Sequence, residues 1–315
     1  MDKKLNICQI SLKGNISILK ENLLNFNKFY QNNFHYIICP KQEKNFFLDK
    51  INDLNCNIID EDSILSFDIF KATANKYLVN KSYFKLIQPR LNWYYQQVLK
   101  LIFAMNYSIN NKKNIVIWDA DTIILKKILF FKDKRAINYG TTNEFHKAYY
   151  ETNKNLLKKL PKYYISSLTQ FISLTPSDAK YLLKNLCLKM NKDLGNNLTK
   201  VIFKSITKTH NIYNGSMFSE YELIGQSNLL KQYSKQKLIS GLRENLNGRV
   251  TEFQKKIIFI LGFYHITYEH THKNINSHKM LNRNQKWLSF LKLLAKKLSN
   301  NIFRGIKHHI NFFLK

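Results

Sequence analysis

The sequence predicts an α/β fold, a mixed sheet flanked by helices, followed by a basic amphipathic helical tail. Three observations predict it. Short apolar strand-like runs alternate with segments of helical period through the first half of the chain. Most of these runs are too apolar to have a solvated face, which suits strands covered by helices on both sides. After Glu269 there are ten Lys or Arg and no Asp or Glu.

The elements follow in order. Residues 7–12 form a short apolar strand. A helix over 18–30 carries Leu19, Leu23, Phe26 and Tyr30 at helical spacing. Residues 35–39 read as a buried strand, closed by the breaker Pro40. A helix at 43–54 precedes a strand at 57–60. A long helix over 89–105 opens on a proline, which the first turn tolerates. On it Trp93, Gln96, Gln97 and Lys100 stand at i, i+3, i+4 and i+7 and share one stripe, a candidate ligand-facing side. The apolar strand at 114–118 then runs directly into Asp119-Ala120-Asp121. The second half is less regular, with helices predicted at 142–160, 176–190 and 218–226 and strands at 135–139, 169–174 and 262–268.

With 315 residues, 44% of them hydrophobic and 14% aromatic, the chain can bury a sizeable core, and an intrinsically disordered protein is excluded. Four cysteines without a Cys-x-x-Cys pair exclude a disulfide scaffold and read as reduced, mostly buried thiols. The start carries no apolar stretch of signal-peptide length, and the longest internal apolar run, 257–264, is too short to span a bilayer. The expectation is a cytoplasmic protein. A net charge of +29 points to an anionic partner, though the Asn-, Lys- and Ile-rich composition attributes part of it to codon bias. No nucleic-acid-binding pattern is present, and the basic residues are diffuse outside the tail, so nucleic acid is not the expected partner. P-loop and dinucleotide-binding glycine fingerprints are absent too.

Asp119-Ala120-Asp121 is the motif most suited to chemistry. Two carboxylates one residue apart in a turn at a strand end can converge on a hard cation, Mg²⁺ or Mn²⁺, which takes its other ligands from water and substrate phosphates. In open α/β sheets that is also where ligands bind. A nucleotidyl- or phosphotransferase would use the same pair.

Three blocks carry a family resemblance: Trp93-Tyr94-Tyr95-Gln96-Gln97-Val98-Leu99-Lys100-Leu101, Val116-Ile117-Trp118-Asp119-Ala120-Asp121-Thr122 and Phe218-Ser219-Glu220-Tyr221-Glu222-Leu223-Ile224-Gly225. In these the chain resembles a bacterial family of GT-A-type glycosyltransferases from surface-polysaccharide loci. The resemblance implies a Rossmann-type GT-A fold over residues 1–272, a nucleotide-sugar donor and a divalent metal. It implies that Asp121 binds the metal directly while Asp119 reaches the ribose or a metal-bound water. A late histidine often completes such sites; His265 is the first candidate, ahead of His270 and His272. Gln9, Ser11 and Lys13, at the end of the first strand, would line the nucleotide pocket with Gln96, Gln97 and Lys100. Inversion needs a base for the acceptor hydroxyl. Glu220 is the candidate, because a helix start tends to keep a carboxylate ionised, and Glu222 is the alternative. The expected acceptor is a lipid-linked glycan, lipooligosaccharide or capsule.

In the tail, 273–315, apolar residues recur from Trp287 through Phe290, Leu294, Leu298, Ile302 and Ile306, with lysines and arginines mainly on the opposite side. That is the pattern of a helix lying in an anionic membrane interface. The expected location is therefore peripheral, on the inner face of the cytoplasmic membrane.

Overall fold

In the computed structural model, which describes residues 4–78, 81–141, 146–162, 164–209, 215–232, 236–243 and 249–268 with 291, 292, 294 and 295, the first half winds a sheet strand by strand. β1 (Leu5–Ile10), α1 (Ile16–Phe29), β2 (Asn33–Cys39), α2 (Lys44–Ile51) and β3 (Cys56–Asp60) follow one another in βαβ steps. Helices α3 (Phe67–Tyr77), α4 (Lys81–Ile87) and α5 (Leu91–Asn111) then cross back to β4 (Ile115–Trp118). After a turn come β5 (Thr122–Ile124), β6 (Phe131–Lys132), β7 (Arg135–Ala136), β8 (Tyr139–Gly140) and α6 (Lys147–Leu157). β9 (Phe171–Leu174), α7 (Pro176–Asn185), α8 (Leu194–Ile206) and α9 (Glu220–Gln232) complete the main layer. β10 (Lys237–Leu238), β11 (Gly241–Arg243), α10 (Glu252–Ile260) and β12 (His265–Thr267) end the described domain.

The main sheet has the order β3-β2-β1-β4-β9. Its first four strands are parallel and β9 runs antiparallel, so the sheet is mixed. Residues of β1 and β4 are buried throughout, as two-sided cover requires. The chain builds outward from β1 to β3, then jumps to β4 on the other side of β1. The strand order therefore reverses between β1 and β4, the position at which open α/β sheets take their ligands. The largest core cluster lies where α5 packs beneath the sheet, with Val98, Leu99, Ile102 and Met105 against Cys8, Ile115 and Ile117. A second cluster joins Trp118, Phe26 and Phe171 on the other face. Burial pushes the thiols of Cys8 and Cys39 up to about 12, which suits inert core residues.

Several predicted boundaries shift, each for a local reason. The strand predicted at 135–139 is two pieces. Asp133 and Lys134 are both left-handed (φ 49° and 62°) and close a tight β6–β7 hairpin, whereas Tyr139 pairs with Lys237 of β10. The apolar run at 257–264 divides at Gly262, whose φ of +91° ends α10 and lets the chain return as β12. The helix predicted from 89 starts at Leu91 and extends to Asn111, where Lys112 (φ 52°) caps it. The helix predicted at 142–160 is α6, and 142–145 lie outside the described residues. α7 is set by a reciprocal cap in which Thr175 and Asp178 bond each other's backbone N–H, with Pro176 at its first position.

His35 on β2 is fully buried, edge-on to Phe26 at 5.1 Å, with Nδ1 2.9 Å from Oε1 of Gln9. Burial lowers its pKa from 6.5 to about 3. The unfolded chain therefore takes up this proton first as pH falls through that window, and stability drops there by at most about 1.4 kcal/mol per pH unit. In chemical unfolding, His35→Gln should flatten the acid slope; an unchanged slope would assign the loss to other groups.

Candidate active site

Three elements converge where β4 ends. α5 brings Gln97 and Lys100 up under the sheet, β4 gives way to Asp119-Ala120-Asp121, and α9 opens on Glu220 and Tyr221. The turn is tight: the Thr122 N–H donates to the Asp119 carbonyl at 3.0 Å, and Trp118 Nε1 donates to the Thr122 carbonyl at 2.8 Å. β5 is tied to β12 by the Thr122 and Thr267 hydroxyls, 2.9 Å apart.

Lys100 is the hub. Its Nζ donates to Asp119 Oδ1 at 2.5 Å and to Glu220 Oε1 at 2.8 Å. The Tyr221 hydroxyl donates to the same Asp119 oxygen at 2.6 Å. Gln97 accepts the Glu220 N–H at 3.1 Å, so α5 also satisfies a donor at the start of α9. Asp119 is anchored through its main chain as well, its N–H donating to the Gln170 carbonyl at 3.0 Å. Gln170 is itself left-handed (φ 66°), uncommon for a residue with a side chain, and this turns its carbonyl toward Asp119. Side-chain exposure falls from 20% for Asp119 to 9% for Lys100 and 1% for Glu220. Asp119 thus lies at the mouth and Glu220 at the floor.

Burial sets the electrostatics. It works against the Lys100 ammonium, but Asp119 and Glu220 outweigh it and hold that pKa above the ordinary value. For Glu220, burial wins over the pull of Lys100 and raises the pKa, opposite to the lowering expected from a helix start alone. Burial and the Asp119 and Glu220 carboxylates push the Tyr221 hydroxyl well up, so it remains a donor at any physiological pH.

The remaining predicted residues have distinct surroundings. Asp121 is half-buried; its Oδ1 accepts from the Thr122 hydroxyl at 3.3 Å and its carbonyl from the Tyr268 N–H at 2.9 Å. Glu222 is buried and accepts from Ser166 Oγ at 2.6 Å and the Ser167 N–H at 3.3 Å. Gln9 faces His35 in the core, whereas Ser11, also buried, and exposed Lys13 follow the carboxyl end of β1. The Lys13 N–H donates to Glu43 at 2.7 Å. Gln96 is half-buried on the α5 stripe.

His265 packs edge-on to Trp118 and Phe171, both at 6.1 Å, beneath Gly241, where a Cβ would fall 1.9 Å from the imidazole. It does not join Asp119 and Asp121: among the described residues no group of three or more His, Cys, Asp or Glu could hold a metal ion. The two turn carboxylates still suit Mg²⁺ or Mn²⁺, which binds through one or two protein carboxylates and completes its shell with substrate oxygens. His270 and His272 lie outside the described residues.

Tyr221 and Gln170 are the participants that sequence reasoning missed. Tyr221 stood inside a recognised block, between the two glutamates; Gln170 acts through its main chain, which no residue type signals.

Among solved structures, the chain is similar to the PaToxG glycosyltransferase at 16% identity, over 65% of this chain and 69% of that one, with a TM-score of 0.30. It is similar to the galactosyltransferase LgtC, solved with donor and acceptor sugar analogues, at 9% identity over 93% and 96% of the two chains, TM-score 0.45. Mouse xyloside xylosyltransferase 1 is similar at 9% identity over 87% and 99%, TM-score 0.37. These are distant likenesses, all below a TM-score of 0.5. No curated protein matches in sequence. Residues 10–246 match the family of unknown function DUF6492, and the chain belongs to that family.

Proposed function

We propose that this protein is a metal-dependent glycosyltransferase, moving a sugar from a nucleotide-sugar donor to a lipid-linked surface glycan such as lipooligosaccharide or capsule. The observation that carries this reading is the Lys100, Asp119, Glu220 and Tyr221 cluster at the carboxyl end of β4, beside the point where the strand order reverses. Open α/β sheets take their ligands there. Asp121, with Asp119 beside it, would hold Mg²⁺ or Mn²⁺, and such a cation supplies neutralisation of the leaving diphosphate.

The chain's own side chains do the positioning. Lys100 and Tyr221 both donate to Asp119 and hold it in one orientation at the mouth. Ser11, Lys13 and Gln96 would lie on the donor side, Lys13 offering a point charge to phosphate. Glu220 has two candidate roles: base for an inverting transfer, or positioning group in a retaining one. Its 1% exposure beneath Lys100 favours the second, in which it fixes the ammonium that orients Asp119. Glu222, bonded to Ser166 and Ser167, would brace the loop beside α9. In this reading residues 1–272 are the catalytic domain, and the basic tail from 273 holds the enzyme on the anionic cytoplasmic face of the inner membrane.

Calorimetry against a panel of nucleotides and nucleotide sugars, with and without Mn²⁺, tests the reading. A nucleoside diphospho-sugar should bind in preference to triphosphates, and more tightly with the cation. Preference for triphosphates with release of pyrophosphate would make the protein a nucleotidyltransferase instead.

A further inference from the structure

A groove of about 530 Å³ runs between α1 and α10, with Ile124 and Leu125 between them, and none of the Lys100 cluster residues lines it. Its apolar wall includes Leu24, Phe259 and Ile260, which are 48%, 47% and 79% exposed. Leu261 continues the same apolar ridge at 38% exposure. The position is unexpected for such residues, because α10 already buries Ile258 in the core and would need no second apolar face to pack. Charge surrounds the patch. Lys255 is spent on Glu21 and Glu252, its Nζ bonded to both carboxylates. That leaves Lys28 and Lys256 exposed at the rim, and Lys126 lies over the Phe259 ring at 4.5 Å.

We propose that this groove is a membrane-docking surface. The tips of Leu24, Phe259 and Ile260 enter the interface of an anionic phospholipid bilayer while Lys28, Lys126 and Lys256 meet its headgroups. Exposed aromatic and aliphatic residues ringed by lysines are the composition of an interfacial face, and each lysine near an anionic leaflet adds about 1 kcal/mol at most. Leu294, expected on the membrane-facing stripe of the tail, is instead buried with Ile258 and Val250, so at that position the tail packs on α10. The tail beyond it is a poor occupant of the groove: residues 296–315 include basic residues and no acid, and would meet a rim of like charge. The inference extends the membrane placement in the proposed function, but vesicle binding is read without any sugar transfer.

The test is sedimentation of the full chain with phosphatidylcholine vesicles with or without phosphatidylglycerol. Wild type should bind only the anionic vesicles, less so as salt rises. Phe259→Glu with Ile260→Glu should weaken that binding about tenfold or more, as should Lys28→Glu with Lys256→Glu, whose exposed side chains leave the fold intact. The tail pair Leu298→Glu with Ile302→Glu is the comparison. If both groove variants sediment like wild type while the tail variant is lost, the tail binds alone and the groove proposal fails. Absence of wild-type binding to either vesicle would overturn it as well. Neither result bears on nucleotide-sugar binding, which calorimetry reads separately.

Discussion

Lys100→Met should destabilise the protein by about 3–5 kcal/mol at neutral pH, the usual cost of removing one partner from a buried ion pair. The lysine side chain is 9% exposed and Glu220 1%, so water cannot replace the lost ammonium. The size of the effect comes from what is left behind: a carboxylate on the floor of the site with no cation beside it. The loss should depend on pH with a definite sign. Burial already raises the Glu220 pKa, and Lys100 is the main group opposing that rise. Without it the folded carboxylate holds a proton that the unfolded chain releases above about 4.5, so stability falls as pH rises through and beyond that value. The Lys100→Met deficit should therefore be small in mild acid and largest above neutrality. Adding Glu220→Gln should recover much of it, a coupling that a double-mutant cycle in urea measures directly. A single variant within about 1 kcal/mol of wild type at neutral pH would mean that solvent reaches the pair and that it is no structural hub.

Asp121→Ala should abolish donor turnover, by about 10³-fold or more if a cation bridged to the leaving diphosphate contributes several kcal/mol to the transition state. Asp121 is half-buried at the turn, and its loss strands no charge on the floor of the site, so the thermal midpoint should move less than in Lys100→Met. That separates it from Lys100→Met, in which activity and stability fall together. Full turnover in Asp121→Ala, or wild-type turnover in excess chelator, would end the metal-dependent reading while leaving a sugar-transfer reading standing.

Much of the frame was legible because it depends on local pattern. The strands at β1, β2, β3 and β4 are apolar runs between turn residues, and the predicted 18–30, 89–105 and 176–190 segments lie over α1, α5 and α7. Other elements were missed although the signal was present. In α8, Leu194, Leu198, Ile202 and Ile206 recur every four residues and are all buried, but asparagines and lysines between them blur the stripe. α3 and α4 were not foreseen either. They are short helices whose hold on the fold is tertiary, α3 resting on α8 through Phe70 and Phe203 at 5.8 Å.

The site divides in the same way. The stripe of Gln97 and Lys100 and the carboxylates of Asp119 and Asp121 follow from period and from the end of an apolar strand, and the Ser219–Glu222 block marks a helix start. What those residues do to one another does not follow from spacing. Glu220 looks like an ionised helix-start carboxylate in sequence, yet burial raises its pKa and Lys100 occupies it. His265 looks like a metal ligand by residue type, yet its ring fills the space beneath Gly241 beside Trp118.

By itself, then, the sequence determined the layering of the fold, the end of the strand at which chemistry is concentrated, and the basic character of the chain. Only the tertiary structure decided that an ammonium from α5 sits between carboxylates from β4 and α9, and that an apolar ridge on α10 faces outward. Periodicity is a property of neighbours along the chain. The burial and ion pairing that decide charge state and orientation are set by residues 19 and 120 positions from Lys100, brought together only when the sheet closes.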